Sequence, residues 1–432
     1  MWLDTRRCLI LLMCLCLCLS AVAVELTPRA LVRAVTEGLD PAMPRFVLSS
    51  ADQISLAAYK RQEDDHDPGL ENDRLRLGTL LPSSGPLARA GHTVAAVLRD
   101  SIERINQAGG IHGRQLQLSI LDPGPDLASA EQALRKLIDE EQVFALVAPL
   151  APALAPRLPA LLEAAGVPVV GPQTLLEASS APSRQIFEPL PGLREQFNAL
   201  ANYASDSLAL ASSPTLIVTP GDGSLELQAR TLQQYLKAQG WQDVRRQVYS
   251  VDARAGLIGT AGDVSSVFYM GSAEHFSELA GRLHSAGLTP YLFASSAQVA
   301  GDIQQLPGAF SRRLFLAYPF IPSDWSAPGR SALTRLRLRQ GLDGQHAVMQ
   351  VSAYCSVALL AEALKRAGRD VSRETLIESL ESLHDFDTGL TPRVSFGPGK
   401  RMGLSGAHIV TVDLGLLQFY PVAPYIPLET TP

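Results

Sequence analysis

The sequence predicts an α/β protein built as two doubly wound parallel-sheet lobes joined by a multi-stranded hinge. Three observations carry this. From Arg74 onward short apolar runs alternate with amphipathic stretches of helical length, the cadence that parallel β-α-β units require. That cadence runs through several strand–helix pairs and then restarts near Gln196. The chain has 432 residues, more than one core serves, because domains cluster near roughly 100–200 residues.

In the first lobe, residues 75–81 read as a strand and 91–107 as its crossover helix, with Val94, Val97, Leu98, Ile102 and Ile105 on one face. Strand 115–122, helix 127–140, strand 144–148, helix 154–165 and strand 167–171 follow. The strands are continuous apolar runs, as expected where both faces of a parallel sheet are covered. The second lobe reads as helix 196–208, strand 215–219, helix 224–239, strands 244–250 and 266–270, helix 274–286 and strand 291–294. The run 314–319 and helices 327–339, 348–366 and 373–382 bring no new strand–helix pairs of that length, so they complete an existing lobe. The expected division is 74–191 for lobe I, 192–316 for lobe II, 317–390 for a return to lobe I, and 391–432 for a hinge strand, completion of lobe II and a tail. Such a chain leaves a cleft between its lobes, where ligands bind.

The beginning of the chain carries Arg6-Arg7, an apolar run over 8–19 and Ser20-Ala-Val-Ala23, the pattern of a signal peptide spanning 1–23 with cleavage after Ala23. The run is shorter than the roughly 20 residues a bilayer-spanning helix needs, so no membrane insertion is expected after cleavage. Four of the five cysteines, Cys8, Cys14, Cys16 and Cys18, lie in this segment. Cys355 is then alone, which excludes a disulfide framework, and its apolar helical surroundings over 351–367 predict a buried thiol. Arg6 and Arg7 against Asp4 give the segment one positive charge, so the remainder is more acidic than the chain's net −6. Nothing in that balance attracts nucleic acid or an anionic membrane.

Within 24–73, Met43-Pro-Arg-Phe46 and Leu48-Ser-Ser-Ala-Asp-Gln-Ile-Ser-Leu-Ala-Ala-Tyr59 resemble the C-terminal part of small c-type cytochromes. No C-x-x-C-H occurs in the chain, and between Val24 and His66 there is neither cysteine nor histidine. Haem cannot be held in the usual way, so a helical remnant is expected, without cofactor. The acidic stretch Gln62-Glu-Asp-Asp-His-Asp-Pro-Gly69 reads as a hydrated linker rather than a metal site.

A second resemblance is more extensive. Gly78-Thr-Leu-Leu-Pro-Ser-Ser-Gly-Pro-Leu-Ala-Arg-Ala-Gly91 and Ile105-Asn-Gln-Ala-Gly-Gly-Ile-His-Gly113 are similar to the opening of the leucine/isoleucine/valine-type (branched-chain amino acid/amide) solute-binding proteins of ABC transporters. The likeness continues through Gly166-Val-Pro-Val-Val-Gly-Pro172, Tyr269-Met-Gly271 and Ala286-Gly-Leu-Thr-Pro-Tyr291, covering roughly 74–412. It implies a type I periplasmic-binding-protein fold and a periplasmic substrate-binding component of an importer, with a small polar solute and a membrane permease as partners. A ligand-sensing or partner-binding regulatory module of the same fold is the alternative. Carried over position by position, the cleft-lining residues are Ser83, Ser84, Arg89, Gln173, Thr174, Asp222, Tyr269, Ser295 and Ser296. Local readings stand beside these: turn-forming hydroxyls for Ser83 and Ser84, an exposed helix-start cation for Arg89, and a helix cap for Asp222.

The departures bear on the ligand. In amino-acid-binding members of that family, serines and threonine after the third strand hold the ligand carboxylate. The matching stretch is Pro149-Leu-Ala-Pro-Ala-Leu-Ala155, which has no hydroxyl and two residues without an N–H. Near Ser295-Ser296 no carboxylate stands ready for an ammonium. A leucine-like amino acid would lose both charge partners, each worth about 1.5–3 kcal/mol, and is not expected to bind tightly. No phosphate-loop, zinc-protease, nucleophile-elbow or paired Cys/His motif occurs, and Gly397-Pro-Gly-Lys400 reads as a hairpin turn. His112, His275, His284, His346, His384 and His408 share no spacing, so neither catalysis nor a metal is expected.

Overall fold

The computed structural model describes residues 67–173, 183–221, 223–249, 262–299 and 303–426. The chain divides into units Met1–His66 and Asp67–Pro432. The expected signal peptide, the cytochrome-like segment and most of the acidic linker lie in the first, outside the described residues.

The first sheet collects β1 (Arg74–Leu80), β2 (Gln115–Leu121), β3 (Ala145–Val147), β4 (Val169–Val170) and β5 (Ile186–Phe187) in the order β2-β1-β3-β4-β5. All its pairs are parallel, with Leu77 of β1 opposite Leu118 on one side and Ala145 on the other. Helix α1 (Ala88–Gln107) crosses from β1 to β2 and buries Val94, Val97, Leu98 and Ile102. It ends where Gly110 N–H returns to the Ile105 carbonyl at 2.9 Å. Gly110 has φ +73°, and a Cβ there would lie 2.0 Å from the Arg114 carbonyl oxygen, so only glycine closes this end.

Helix α2 (Leu127–Arg135) is started by Asp126, whose carboxylate accepts the Ser129 N–H at 2.8 Å, and it runs on as a π-helical turn over Lys136–Glu140. The next helix, expected from 154, starts only at α3 (Leu158–Ala165), because the proline-led segment Pro152–Leu154 forms a separate 3-10 turn first. The two-residue β5 was not foreseen; it is too short to show a strand period.

The second sheet holds β6 (Thr215–Thr219), β7 (Val244–Val248), β8 (Ser266–Tyr269), β9 (Tyr291–Ser295), β10 (Leu314–Tyr318), β11 (Ala407–Asp413) and β12 (Gln418–Ile426). Their order is β12-β11-β10-β9-β8-β6-β7, with the β10–β11 and β11–β12 pairs antiparallel and the rest parallel. Around it stand α4 (Leu193–Asp206), α5 (Gly223–Ala238), α6 (Ala273–Ser285) and the short α7 (Ser296–Val299). Two apolar clusters line this sheet, one including Phe197, Phe268 and Phe293 with α4 and α5, the other including Tyr269, Phe276 and Leu283 with α6.

After β10 the chain returns to the first sheet as α8 (Ala327–Gln340), α9 (Ala347–Ala367) and α10 (Arg373–Glu381). Helix α9 is long and apolar enough to cross a membrane, but most of it is buried, packed on α1, α10, β3 and β4. The side chain of Cys355 on α9 is fully buried, and burial pushes its thiol up to about 12. Gly397 and Lys400 pair as the ends of a tight turn.

The chain therefore passes between the sheets three times, at 188–192, 319–326 and between α10 and β11. The passages are stitched to one another. Glu188 N–H donates to the Arg401 carbonyl at 2.9 Å, and Gly403 N–H to the Glu188 carbonyl at 2.7 Å. His408 Nε2 lies 2.9 Å from Asp324 Oδ2, and Phe320, Leu333, Val351, Cys355 and Leu390 form a small core beside them.

Candidate functional site

Loops at the carboxyl ends of parallel strands are where open α/β sheets bind ligands. The Leu81–Leu87 loop follows β1. Its approach to α1 depends on Gly91, where a Cβ would sit 2.0 Å from the Pro82 carbonyl oxygen. Asp122, just after β2, accepts the Ser83 backbone N–H at 2.9 Å and the Ser83 hydroxyl on the same oxygen. The Ser83 hydroxyl, followed by the Gly124 and Ser83 N–H groups, holds the Asp122 carboxyl below its usual value. Ser84 is exposed. Arg89 pairs with Asp343 at 3.0 Å, both exposed, joining the start of α1 to the loop before α9.

Gln173 lies three residues past β4. Its Nε2 donates to the Gly171 carbonyl at 3.0 Å and to the Ser352 hydroxyl of α9 at 2.9 Å. Ser83, Ser84, Arg89 and Gln173 thus share the carboxyl edge of the first sheet.

The second sheet contributes differently. Tyr269 is buried in the core, and its hydroxyl donates to the Ser272 carbonyl at 2.9 Å in the turn into α6. Burial raises its pKa well above the ordinary phenol value. Ser295, fully buried at the end of β9, donates to Gln196 Oε1 at 2.7 Å, while Gln196 Nε2 donates to the Pro191 carbonyl at 3.0 Å. Ser296 is buried as well, and its hydroxyl has no hydrogen-bond partner among the described residues. Thr174 and Asp222 lie outside the described residues.

Sequence reasoning did not single out Asp122, Gln196, Asp343 or Ser352, the partners that hold these side chains. Only Asp122 carried a local signal, as the first residue of Asp122-Pro-Gly at a strand end.

The Pro149–Ala155 stretch wraps the ends of β1, β3 and β4. Leu150 N–H donates to the Leu80 carbonyl at 2.7 Å, and Gln173 N–H to the Pro149 carbonyl at 2.7 Å. Leu154 N–H donates to the Ala151 carbonyl at 3.0 Å, and Ala155 N–H to the Pro152 carbonyl at 3.1 Å. Beside it is a small pocket of about 20 Å³, room for about one water molecule, lined by apolar residues including Leu80, Leu146, Pro149 and Pro172. Among the described residues no three metal-ligating side chains come together.

The model of the family described as periplasmic binding protein matches residues 74–414. Among solved structures, the chain is similar to a fatty acid ABC transporter substrate-binding protein from Thermomonospora curvata, at 18% identity and TM-score 0.70, covering 84% of this chain and 95% of that one. It is also similar to a branched-chain amino acid ABC transporter from Thermus thermophilus with bound valine, at 18% identity and TM-score 0.67, over 84% of this chain and 98% of that one. A leucine binding protein from Thermotoga maritima aligns at 18% identity and TM-score 0.66, over 82% and 98%. No curated protein matches the chain. At such identities the structures speak for the fold, while the family match spans most of the chain: it belongs to the periplasmic binding protein family.

Proposed function

We propose that this chain is the periplasmic substrate-binding component of an ABC-type importer. It takes a small solute with polar groups between its two sheet-based lobes and presents the closed form to a permease, without altering the solute chemically. The solute is not a free branched-chain amino acid. The family membership and the transporter proteins among its structural neighbours support the first statement.

The second rests on one observation: Pro149–Ala155 offers no hydroxyl, and its Leu150, Leu154 and Ala155 N–H groups are spent inside the fold. A ligand carboxylate brought there would find no hydroxyl and at most the Ala151 and Ala153 N–H groups as donors, too few to replace its water. The Ser83 and Gln173 side chains give polar contacts on the first sheet, and closure would follow from a ligand's preference for the closed state.

Calorimetric titration with leucine and valine is expected to show no micromolar binding. A thermal-shift panel of metabolites is expected to yield a solute that raises the melting temperature and compacts the chain in small-angle scattering. Micromolar leucine or valine binding would refute the ligand reading, and a panel without any compaction would count against transport.

A further inference from the structure

We propose that His408 and Asp324 form a proton-controlled latch across the hinge, so that acid holds the two lobes in the arrangement seen here and restricts their rotation. This goes beyond the importer reading and needs only the two lobes and the passages between them.

The pair bridges those lobes. His408 is in β11 of the second sheet, whereas Asp324 lies just ahead of α8, the helix that packs on α1 of the first lobe. Lobe rotation is absorbed as φ/ψ change in such passages, so a bond from β11 to this one resists the turn. The contact is shielded from water, with the His408 side chain 7% and the Asp324 side chain 15% exposed.

The hydrogen bonds set the tautomer. His408 Nε2 lies 2.9 Å from Asp324 Oδ2, an oxygen that also accepts the Ile321 N–H at 2.8 Å. The neutral ring therefore carries its proton on Nε2, and Nδ1 is left with a lone pair. That nitrogen is buried without a hydrogen-bond partner among the described residues. A proton taken up in acid goes to Nδ1, and the contact becomes one between opposite charges, little screened at this depth.

Other titratable groups face the ring from the neighbouring elements. Tyr318 of β10 is its cross-strand partner, and burial pushes that phenol up to about 12. The Tyr425 ring of β12 stands 5.4 Å away, and its hydroxyl accepts the Gly406 N–H at 2.9 Å. Its pKa is also pushed up to about 12, by burial first and then by the charges of Asp324 and Glu195. Glu195, in the first turn of α4, holds Arg194 through Oε1 at 2.8 Å, and its Oε2 is buried without a partner among the described residues. Both phenols stay neutral over roughly pH 5 to 8, the span in which imidazoles change charge. The added hold is present on the acid side of that change and is lost as pH rises through it.

The test is hydrogen exchange of the full chain without solute, followed in peptides covering 319–326 and 403–409 and corrected for the intrinsic rate at each pH. Protection of both peptides should be about fivefold higher at about pH 5.5 than at about pH 8. His408→Gln, which keeps a donor but no charge, and Asp324→Asn should each abolish that difference. If one variant melts early by circular dichroism, the other decides alone.

Equal protection at the two pH values in the unaltered chain overturns the inference. So does an acid-dependent rise that a folded variant retains. A solute that compacts the chain while the passages show no pH response sinks the latch alone. A response lost in the variants, with no solute producing compaction, sinks the importer reading and leaves the latch standing.

Discussion

Asp122 takes both donors of Ser83, its backbone N–H at 2.9 Å and its hydroxyl, on a single carboxylate oxygen. The carboxylate at the end of β2 thereby sets the conformation of the loop after β1. Asp122→Ala is expected to weaken solute binding at that loop and to cost about 1 kcal/mol, since the site is exposed. The folded-state pKa is lowered, so the contribution is present above the ordinary carboxylate value and fades as pH falls through the lowered one. Asp122→Asn should abolish that part of the acid dependence. Urea unfolding at stepped pH checks both.

Arg339 of α8 grips Asp100 of α1 with two hydrogen bonds of 2.7 Å each. Asp100 is 4% exposed, while the arginine side chain is 42% exposed. Asp100→Ala should therefore cost about 2 kcal/mol, less than a fully buried pair. The arginine hydrogen bond lowers the Asp100 pKa, so this stabilisation is complete at neutral pH and is lost only in acid, as pH drops through that lowered value. Denaturant midpoints of wild type and variant, at neutral pH and in acid, test it.

Cys355 should resist alkylation in the native protein. Its thiol is buried and pushed up to about 12, which leaves almost no thiolate near pH 8. Peptide mapping after iodoacetamide treatment should find it modified only in chaotrope.

The neighbouring serines after β9 should separate. Ser295→Ala strands the buried Gln196 Oε1 and is expected to cost about 1–3 kcal/mol. Ser296→Ala removes a hydroxyl that has no partner among the described residues and should stay within about 0.5 kcal/mol. Tyr269→Phe should cost about 1 kcal/mol through the lost bond to Ser272 and leave solute affinity unchanged. Thermal melts with calorimetry of whichever solute the panel yields decide each.

The α/β class was legible because it is written in local periodicity. The apolar face Val94, Val97, Leu98 and Ile102 specifies α1 before any partner is known, and Gly109-Gly110 marks its end. The lack of hydroxyls in Pro149–Ala155 and of an N–H at its two prolines was equally local, since distant contacts cannot supply either.

What the side chains at the strand ends do was not legible, because it depends on groups far away along the chain. Ser83 and Asp122 are 39 residues apart, Ser295 and Gln196 99, and Gln173 and Ser352 179. Tyr269 shows the limit well: its position at a strand end and the Ser272 carbonyl that captures its hydroxyl are local, but the core that encloses its ring is not. The sequence alone determined which segments become strands and helices, because φ/ψ preference and side-chain period act between near neighbours. Only the tertiary structure decided which polar groups are spent inside the fold and which corner of the first sheet is left apolar, because hydrogen-bond partners and cavities exist only once remote segments are packed together.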